Sequence, residues 1–264
     1  MEKSITSEQI KLRYSDQGKG RPLVLLHGYL ESLNIWDNFV PELTNDFRVI
    51  AIDLPGHGKS TFNDDTASME DMADAVNIVL ETEEIDSAVI IGHSLGGYAT
   101  LAFVDKYPDK VKGFGFIHSS PFADTDEKKA NRMREIGLVE SGKKELIINT
   151  NIPKAFADNN LEKFPEEVER AKKIGIQTPD RGIQAALRGM MQRADHSELL
   201  DNEMPKLFIL GKKDNYIPFD MMYPVQKKAR NSQVVVFEHS GHMGFIEEKD
   251  RAVKILKEFI ESMR

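Results

Sequence analysis

The stretch IIGHSLGGYATLAF, residues Ile90 to Phe103, decides how the rest of the chain is interpreted. Apolar residues typical of a strand lead into GHSLG at residues 92–96, and an Ala/Leu-rich stretch typical of a helix follows. In such a strand–turn–helix context, the pattern G-x-S-x-G indicates a sharp turn that leaves the serine hydroxyl exposed. Ser94 is therefore a candidate nucleophile, and the alternative is a glycine-rich turn without a chemical role.

Short apolar runs recur along the chain, and each of them leads into a loop signal. Runs this short and this apolar are typical of strands buried on both faces of a parallel sheet. The runs are Pro22–Leu26, Arg48–Ile52, Ala88–Ile91, Val111–Ile117, Lys206–Leu210 and Gln233–Phe237.

Helical periodicity lies between several of these runs. Ser68–Glu84 has an apolar face, and Ser68 with Asp71 three residues later predicts a capping box at its start. Tyr98–Tyr107 and Arg251–Met263 are further predicted helices. Strands that alternate with helices imply right-handed βαβ crossovers and therefore an open α/β sheet.

Two segments depart from this alternation. Ile5–Tyr14 alternates in polarity and Asp16–Gly20 is typical of a turn, which predicts an antiparallel pair at one edge of the sheet. Residues from Phe122 to about Glu203 are polar and helix-prone and lack strand-like runs. This second segment predicts a helical insertion at one end of the sheet.

Composition narrows the classes of function. The 264 residues include 35 basic and 43 acidic side chains, a net charge of −8 that disfavours nucleic acid or an anionic membrane as the main partner. The absence of cysteine excludes disulfides, thiolate nucleophiles and Cys-ligated metal sites. No stretch approaches the roughly 18 apolar residues of a membrane helix. The N-terminus lacks the apolar run of a secretory signal, so a cytoplasmic location is expected.

With its serine turn inside this alternating pattern, the chain resembles the α/β-hydrolase family over nearly all of its length outside the insertion. The resemblance implies an α/β fold with a mostly parallel central sheet flanked by helices. It also implies a core of residues 1–120 and 204–264 and a helical cap of residues 121–203. The chain order of functional groups should be serine, then an acid, then histidine, with no cofactor and no metal.

Under this resemblance, the acid and the base are sought after the late strands. GKKDNYIP at residues 211–218 resembles the acid loop of the family, which makes Asp214 the candidate and leaves Asp220 as the alternative. SGHMG at residues 240–244 follows the last strand and points to His242 as the base, with His239 as the nearest competitor.

The resemblance also points to donors for an oxyanion. They are the backbone N–H of Leu95 and that of Tyr29, which lies in the HGY sequence after an early strand. His27 is expected to shape this loop, and His93 to pack beside the serine turn. DLPGHGKS at residues 53–60 ends like a phosphate loop but begins with aspartate instead of glycine, so a nucleotide site is not expected.

These groups suit acyl transfer. A serine hydroxyl must lose its proton as it attacks, a neutral imidazole can accept that proton, and a carboxylate can orient the ring. The sequence predicts a serine hydrolase that cleaves a small to medium carboxylic ester through an acyl-enzyme, or a related thioester, lactone or carbon–carbon bond. The alternative from another class is a small-molecule sensor that retains all three groups but turns over slowly.

Overall fold

The computed structural model describes residues 1–6 and 10–263, and within these ranges nine strands form one sheet in the order β1-β2-β4-β3-β6-β7-β8-β9, with β5 paired to β2. The strands are β1 (Glu2–Thr6), β2 (Ile10–Gln17), β3 (Arg21–Leu26), β4 (Phe47–Ile52), β5 (Thr61–Phe62), β6 (Ala88–His93), β7 (Val111–Ile117), β8 (Lys206–Gly211) and β9 (Ser232–Phe237). The run from β4 through β3, β6, β7 and β8 to β9 is parallel throughout. The predicted α/β fold with a mostly parallel sheet is confirmed.

Burial follows the position of each strand in the sheet. Strands β6 and β8 are buried along their whole length, which confirms that their apolar runs face the core on both sides. Strand β9 differs from this expectation because most of its residues are only half-buried. It is the last strand of the path, so it packs against β8 on one side and lacks a second strand there within the described chain.

The predicted antiparallel edge pair exists, but its strands are not divided as the sequence suggested. Strands β1 and β2 pair in antiparallel register, and residues 7–9 between them lie outside the described residues. Asp16 and Gln17 are the last residues of β2, residues 18–20 connect it to β3, and these two strands do not pair because β2 instead pairs with β4. The sequence therefore indicated a turn at the right place, but this turn leads to the first parallel strand, β3, and does not join the two strands of the antiparallel pair.

The helices lie between the strands and flank the sheet. They are α1 (Met69–Thr82), α2 (Leu95–Lys106), α3 (Asp126–Glu140), α4 (Lys144–Ala155), α5 (Pro165–Gln177), α6 (Asp180–Gln192), α7 (Phe219–Lys228), α8 (Gly244–Glu247) and α9 (Lys249–Ser262). At the start of α1, Ser68 and Asp71 form the predicted capping box. Helix α2 begins three residues earlier than its periodicity predicted, since the serine turn leads straight into it.

The segment between β7 and β8 carries helices α3 to α6. Helix α3 packs against α6, and α4 packs against α5. Helix α6 also contacts the segment before α1, where the Ala67 N–H donates to the Ala185 carbonyl at 3.0 Å. The helical character of residues 121–203 agrees with the sequence, while the division into core and cap domains stays a prediction. No helix in the described ranges is both long enough and apolar enough to span a bilayer.

Candidate active site

Ser94 occupies a strained turn between β6 and α2. Its backbone angles are φ 49° and ψ −112°, in a region that residues other than glycine seldom adopt. A Cβ at Gly92 would lie 2.1 Å from the Gly96 carbonyl oxygen, and one at Gly96 would lie 2.3 Å from that of Leu26. The close approach of these backbones is the physical reason for both glycines of the motif. Ser94 is half-buried, and its hydroxyl has no hydrogen bond to any residue that the structure describes.

Asp214 and His242 are joined by a hydrogen bond. His242 Nδ1 lies 2.8 Å from Asp214 Oδ2, and the two side chains are 7% and 1% exposed. The other carboxylate oxygen, Oδ1, accepts the backbone N–H groups of Tyr216 at 2.8 Å and Ile217 at 2.9 Å. Burial alone would raise the pKa of Asp214, but the interaction with His242 and the hydrogen bonds to the carboxylate hold that pKa well below its usual range. The carboxylate is therefore ionised and held in one orientation.

Ser94 follows β6 at the sheet edge where β8 and β9 also end, because these strands are parallel. The ring of the preceding residue, His93, lies 4.9 Å from the ring of His242. The structure thus brings Asp214 and His242 together with the serine turn beside them, without a hydrogen bond from the Ser94 hydroxyl to the imidazole. Such bonds are commonly long before substrate binds.

The two alternative candidates lie away from this pair. Asp220 is exposed in the first turn of α7, and His239 is exposed after β9. The His239 backbone bonds to Glu248 and Asn160, and its ring has no hydrogen bond within the described part of the chain.

The backbone N–H groups of Tyr29 and Leu95 are both unpaired in the described structure. Leu95 is the first residue of α2, where N–H groups have no intrahelical acceptor and the positive end of the helix dipole attracts negative charge. Tyr29 follows β3, and its hydroxyl donates to Glu135 of α3 at 3.1 Å. Leu95, next to Ser94, and Tyr29, in the loop after β3, therefore each have a backbone N–H without an acceptor among the described residues.

His118, at the end of β7, is a site residue to which the sequence analysis gave no role. Its Nδ1 lies 3.3 Å from Asp214 Oδ2 and 3.0 Å from the backbone nitrogen of Gly211, while Nε2 lies 3.1 Å from the backbone nitrogen of Gly244. Because a neutral ring has one N–H and one acceptor nitrogen, Nδ1 donates to Asp214 and Nε2 accepts the N–H of Gly244. Burial lowers the pKa of His118 to about 4. The ring ties the end of β8, which leads to Asp214, to the segment that follows His242.

Replacing His118 with alanine should destabilise the protein. Removal of the ring leaves the buried N–H of Gly244 without an acceptor, at a cost of about 1–3 kcal/mol, and removes a donor from the Asp214 carboxylate. We expect a clear fall in the free energy of unfolding, measured by denaturant titration, together with reduced activity. His239→Ala is the matched control because that ring is exposed. Equal stability of the two variants would show that the His118 contacts contribute nothing.

Glu247 of α8 was also missed, and it holds the segment that carries His242. Its Oε1 accepts the N–H groups of Gly241 at 2.8 Å and Met243 at 3.3 Å, the two neighbours of His242. Its Oε2 accepts the N–H of Ala157 at 3.0 Å and the side-chain amide of Asn160 at 2.6 Å. Glu247 therefore connects the position of His242 to the stretch between α4 and α5 in the middle of the helical segment.

Buried neutral histidines make the fold sensitive to mild acid. Burial lowers the pKa values of His27, His57 and His118 to about 4, about 3 and about 4. The unfolded chain binds these protons near about pH 6.5 and the folded chain does not, so each histidine lowers stability by up to about 1.4 kcal/mol per pH unit below that value. Carboxylates whose pKa is lowered in the folded state destabilise the protein only when the pH falls below about 4.5, where the unfolded chain begins to bind their protons.

We therefore expect the unfolding temperature to fall steadily as the pH is lowered from about 6.5 to about 4.5. Calorimetry across this range measures the effect. An unfolding temperature that stays constant or rises there would contradict the neutral state of these rings.

Comparison with known proteins agrees with this architecture. A model of the alpha/beta hydrolase fold matches residues 21–135 and 139–249. The structure of a thermophilic esterase from Thermogutta terrifontis, with malate bound, is similar at a TM-score of 0.94 and 29% identity, over 100% of this chain and 99% of that one. The AB hydrolase superfamily protein YisY of Bacillus subtilis is 26% identical over 97% of this chain and 98% of its own length. A pimeloyl-[acyl-carrier protein] methyl ester esterase of Neisseria meningitidis is 28% identical over 92% of this chain and 78% of its own length.

Proposed function

The chain belongs to the α/β-hydrolase family, and from this premise we propose that it is a serine hydrolase that cleaves small to medium carboxylic esters. The observation that carries the proposal is the 2.8 Å hydrogen bond between His242 and Asp214, at the same sheet edge as the strained turn of Ser94. This arrangement supplies a nucleophile, a base and an orienting carboxylate in one place.

In the proposed reaction, Ser94 Oγ attacks the ester carbonyl carbon while His242 Nε2 accepts the hydroxyl proton. The Asp214 carboxylate holds the Nδ1–H of His242, which keeps the Nε2 lone pair directed away from Asp214, and it stabilises the imidazolium that forms. The imidazolium then gives its proton to the leaving alkoxide, and the acyl group stays on Ser94. Water then gives a proton to the same imidazole as it attacks the acyl carbon. When the bond between the acyl carbon and Ser94 Oγ breaks, the imidazolium returns that proton to Oγ, which releases the carboxylic acid and restores the starting enzyme.

The negative charge that develops on the carbonyl oxygen needs hydrogen-bond donors. We assign this role to the Tyr29 and Leu95 N–H groups, which have no acceptor within the described residues. Donors held in place before the reaction stabilise the tetrahedral intermediate without reorganisation, and each is worth about 10²–10³-fold in kcat.

The substrate class follows from the relatives and from the contacts above the site. Proteins described as esterases are among those most similar to this chain. Tyr29 bonds to Glu135 of α3, and the Tyr216 hydroxyl donates to the Asn151 carbonyl of α4 at 2.9 Å. Because Tyr216 also contacts the His242 ring at 5.2 Å between centroids, the helical segment lies close above the reacting groups and favours a compact acyl chain.

Turnover of a graded set of esters tests the proposal. We expect p-nitrophenyl esters of short and medium acyl length to be hydrolysed with many turnovers, and phenyl acetate, a thioester and a lactone to define the preference among related bonds. Faster hydrolysis of the lactone or the thioester would identify that bond as the preferred substrate and leave the proposed mechanism unchanged. Failure of every substrate to exceed the buffer rate, with a conformational change on ligand binding, would favour the sensor and contradict the enzyme.

A further inference from the structure

His93, the residue before Ser94, is buried and bonded through both nitrogens of its ring. Nδ1 lies 3.0 Å from Glu31 Oε2, and Nε2 lies 2.9 Å from the backbone carbonyl oxygen of His242. The side chains of His93 and Glu31 are 1% and 4% exposed. A buried polar pair of this kind needs an explanation, since the proposed reaction uses neither side chain.

The partners of the ring determine how many protons it carries. A carbonyl oxygen only accepts, so Nε2 must carry a proton to bond to His242. Nδ1 faces a carboxylate oxygen that already accepts the N–H of Gly28 at 2.6 Å, so a second proton must lie between Nδ1 and Glu31. Because Glu31 Oε2 accepts from Gly28 on one side, the hydrogen bond on the other side is strongest when Glu31 is ionised and the proton is on His93 Nδ1. With both ring nitrogens protonated, His93 is an imidazolium.

The pKa shifts agree with this proton count. Burial alone would lower the pKa of His93, but the adjacent Glu31 carboxylate raises it above its ordinary value. Burial alone would raise the pKa of Glu31, but the charge of His93 and the hydrogen bonds from His93 and Gly28 lower it. The other rings packed around His93 are His242, His118, Phe245 and Trp36.

The two hydrogen bonds of the His93 ring, to Glu31 and to the His242 carbonyl, form a bridge between three parts of the site that are distant in sequence. Through Glu31 it reaches Gly28, which precedes Tyr29. Through the backbone it is continuous with Ser94, and through Nε2 it holds the main chain of His242 itself. Gly28 must be glycine here, because a Cβ would lie 2.8 Å from His93 Nδ1.

We propose that His93 is a positioning residue, and that its bridge from Glu31 to the His242 carbonyl sets the spacing among the Tyr29 N–H, Ser94 and His242. This inference rests on the proposed serine hydrolase mechanism. His93 contacts no reacting atom, so its loss should weaken the transition state more than the binding of substrate. A misplacement of about 1 Å at such a site costs about 10²-fold in rate.

The first test counts protons in the wild-type protein. NMR with isotope-labelled histidine should show both ring N–H groups of His93 protonated and slowly exchanging at neutral pH. The assignment follows from their disappearance in His93→Gln, while His239→Gln leaves them in place. A His93 ring with one bare nitrogen would overturn the inference without any kinetic measurement.

The second test separates positioning from folding. An amide cannot donate to both partners at these positions, so His93→Gln should lower kcat by about 10²-fold with KM nearly unchanged, and should slow fluorophosphonate labelling in parallel. Glu31→Gln should have a similar effect, and the double variant should be little worse than either single variant because both break one bridge. The exposed His239→Gln is the control with wild-type kinetics.

The outcomes distinguish this inference from the proposed function. If the wild type hydrolyses esters and is labelled at Ser94, while His93→Gln keeps wild-type kcat and labelling rate, only the positioning role fails. If the wild type neither turns over esters nor reacts with the label, the hydrolase proposal fails, and the positioning role that rests on it fails too. In that case the NMR measurement still decides whether the doubly protonated bridge exists.

Discussion

Replacing Ser94 with alanine is expected to abolish ester hydrolysis, with a loss in kcat of about 10⁴–10⁶-fold. The reason is chemical, because alanine lacks the oxygen that attacks the ester. The fold should remain, since the bonds that hold this turn use the backbone. The Ser94 N–H donates to the Ile117 carbonyl at 3.1 Å, and its own carbonyl accepts from Gly97 N–H at 2.9 Å and Ser119 Oγ at 2.7 Å.

Hydrolysis of p-nitrophenyl esters and thermal unfolding measure the two halves of this prediction. Ser119→Ala is the matched control, because it removes a neighbouring hydroxyl that bonds to the turn but is not the proposed nucleophile. The control should lose far less activity than Ser94→Ala. Retention of more than a tenth of wild-type kcat in a folded Ser94→Ala variant would reject the nucleophile.

Replacing Asp214 with asparagine should lower kcat by about 10⁴-fold while leaving the loop in place. Asp214 Oδ1 accepts from the N–H groups of Tyr216 and Ile217, so the carbonyl oxygen of the asparagine will stay at that position. Its NH₂ group must then face His242 Nδ1, where it can only donate. The imidazole is forced to carry its proton on Nε2, and in that tautomer it cannot accept the proton of Ser94.

Steady-state kinetics of Asp214→Asn, His242→Ala and their combinations with Ser94→Ala test this account. Asp214 and His242 contribute to catalysis only through Ser94. The combined variants should therefore have a kcat scarcely lower than that of Ser94→Ala alone. Asp220→Asn provides the control because that carboxylate is exposed on α7. A large loss in Asp220→Asn, with little change in Asp214→Asn, would mean that the acid was assigned wrongly.

Local patterns predicted the fold well where burial is uniform. The apolar runs that became β6 and β8 are buried throughout, so period and composition sufficed to identify them. The start of α1 was equally readable, since a capping box is formed by residues three apart. The edge pair was harder, because the signal at Asp16–Gly20 marks a turn but does not say which strands pair across it.

The sequence predicted those residues of the candidate site that lie within a short local motif. Ser94, Asp214 and His242 each follow a strand within a short pattern, and parallel strands end at one edge. His118 and Glu247 were missed because their partners are distant in sequence: His118 bonds to the Asp214 carboxylate and to the N–H of Gly244, and Glu247 bonds to the N–H of Ala157. The available signal was a polar residue next to a strand end or motif.

Histidine 93 shows the same limit in another way. The sequence placed it beside the serine turn as a packing residue, and the structure does bury it there. Its hydrogen bonds to Glu31 and to the His242 backbone span 62 and 149 residues of sequence, so no local pattern contains them. Only the folded chain reveals that a buried ring next to the proposed nucleophile faces two acceptors.

Mass spectrometry of the fluorophosphonate-treated protein tests the central claim most directly. The reagent bonds covalently to a serine oxygen that a neighbouring base has activated, so the adduct identifies the nucleophile without knowledge of the substrate. We predict one adduct per chain, located on the peptide that contains Ser94, and its loss in His242→Ala. An adduct on another residue, or an unmodified protein that still hydrolyses esters, would contradict the account.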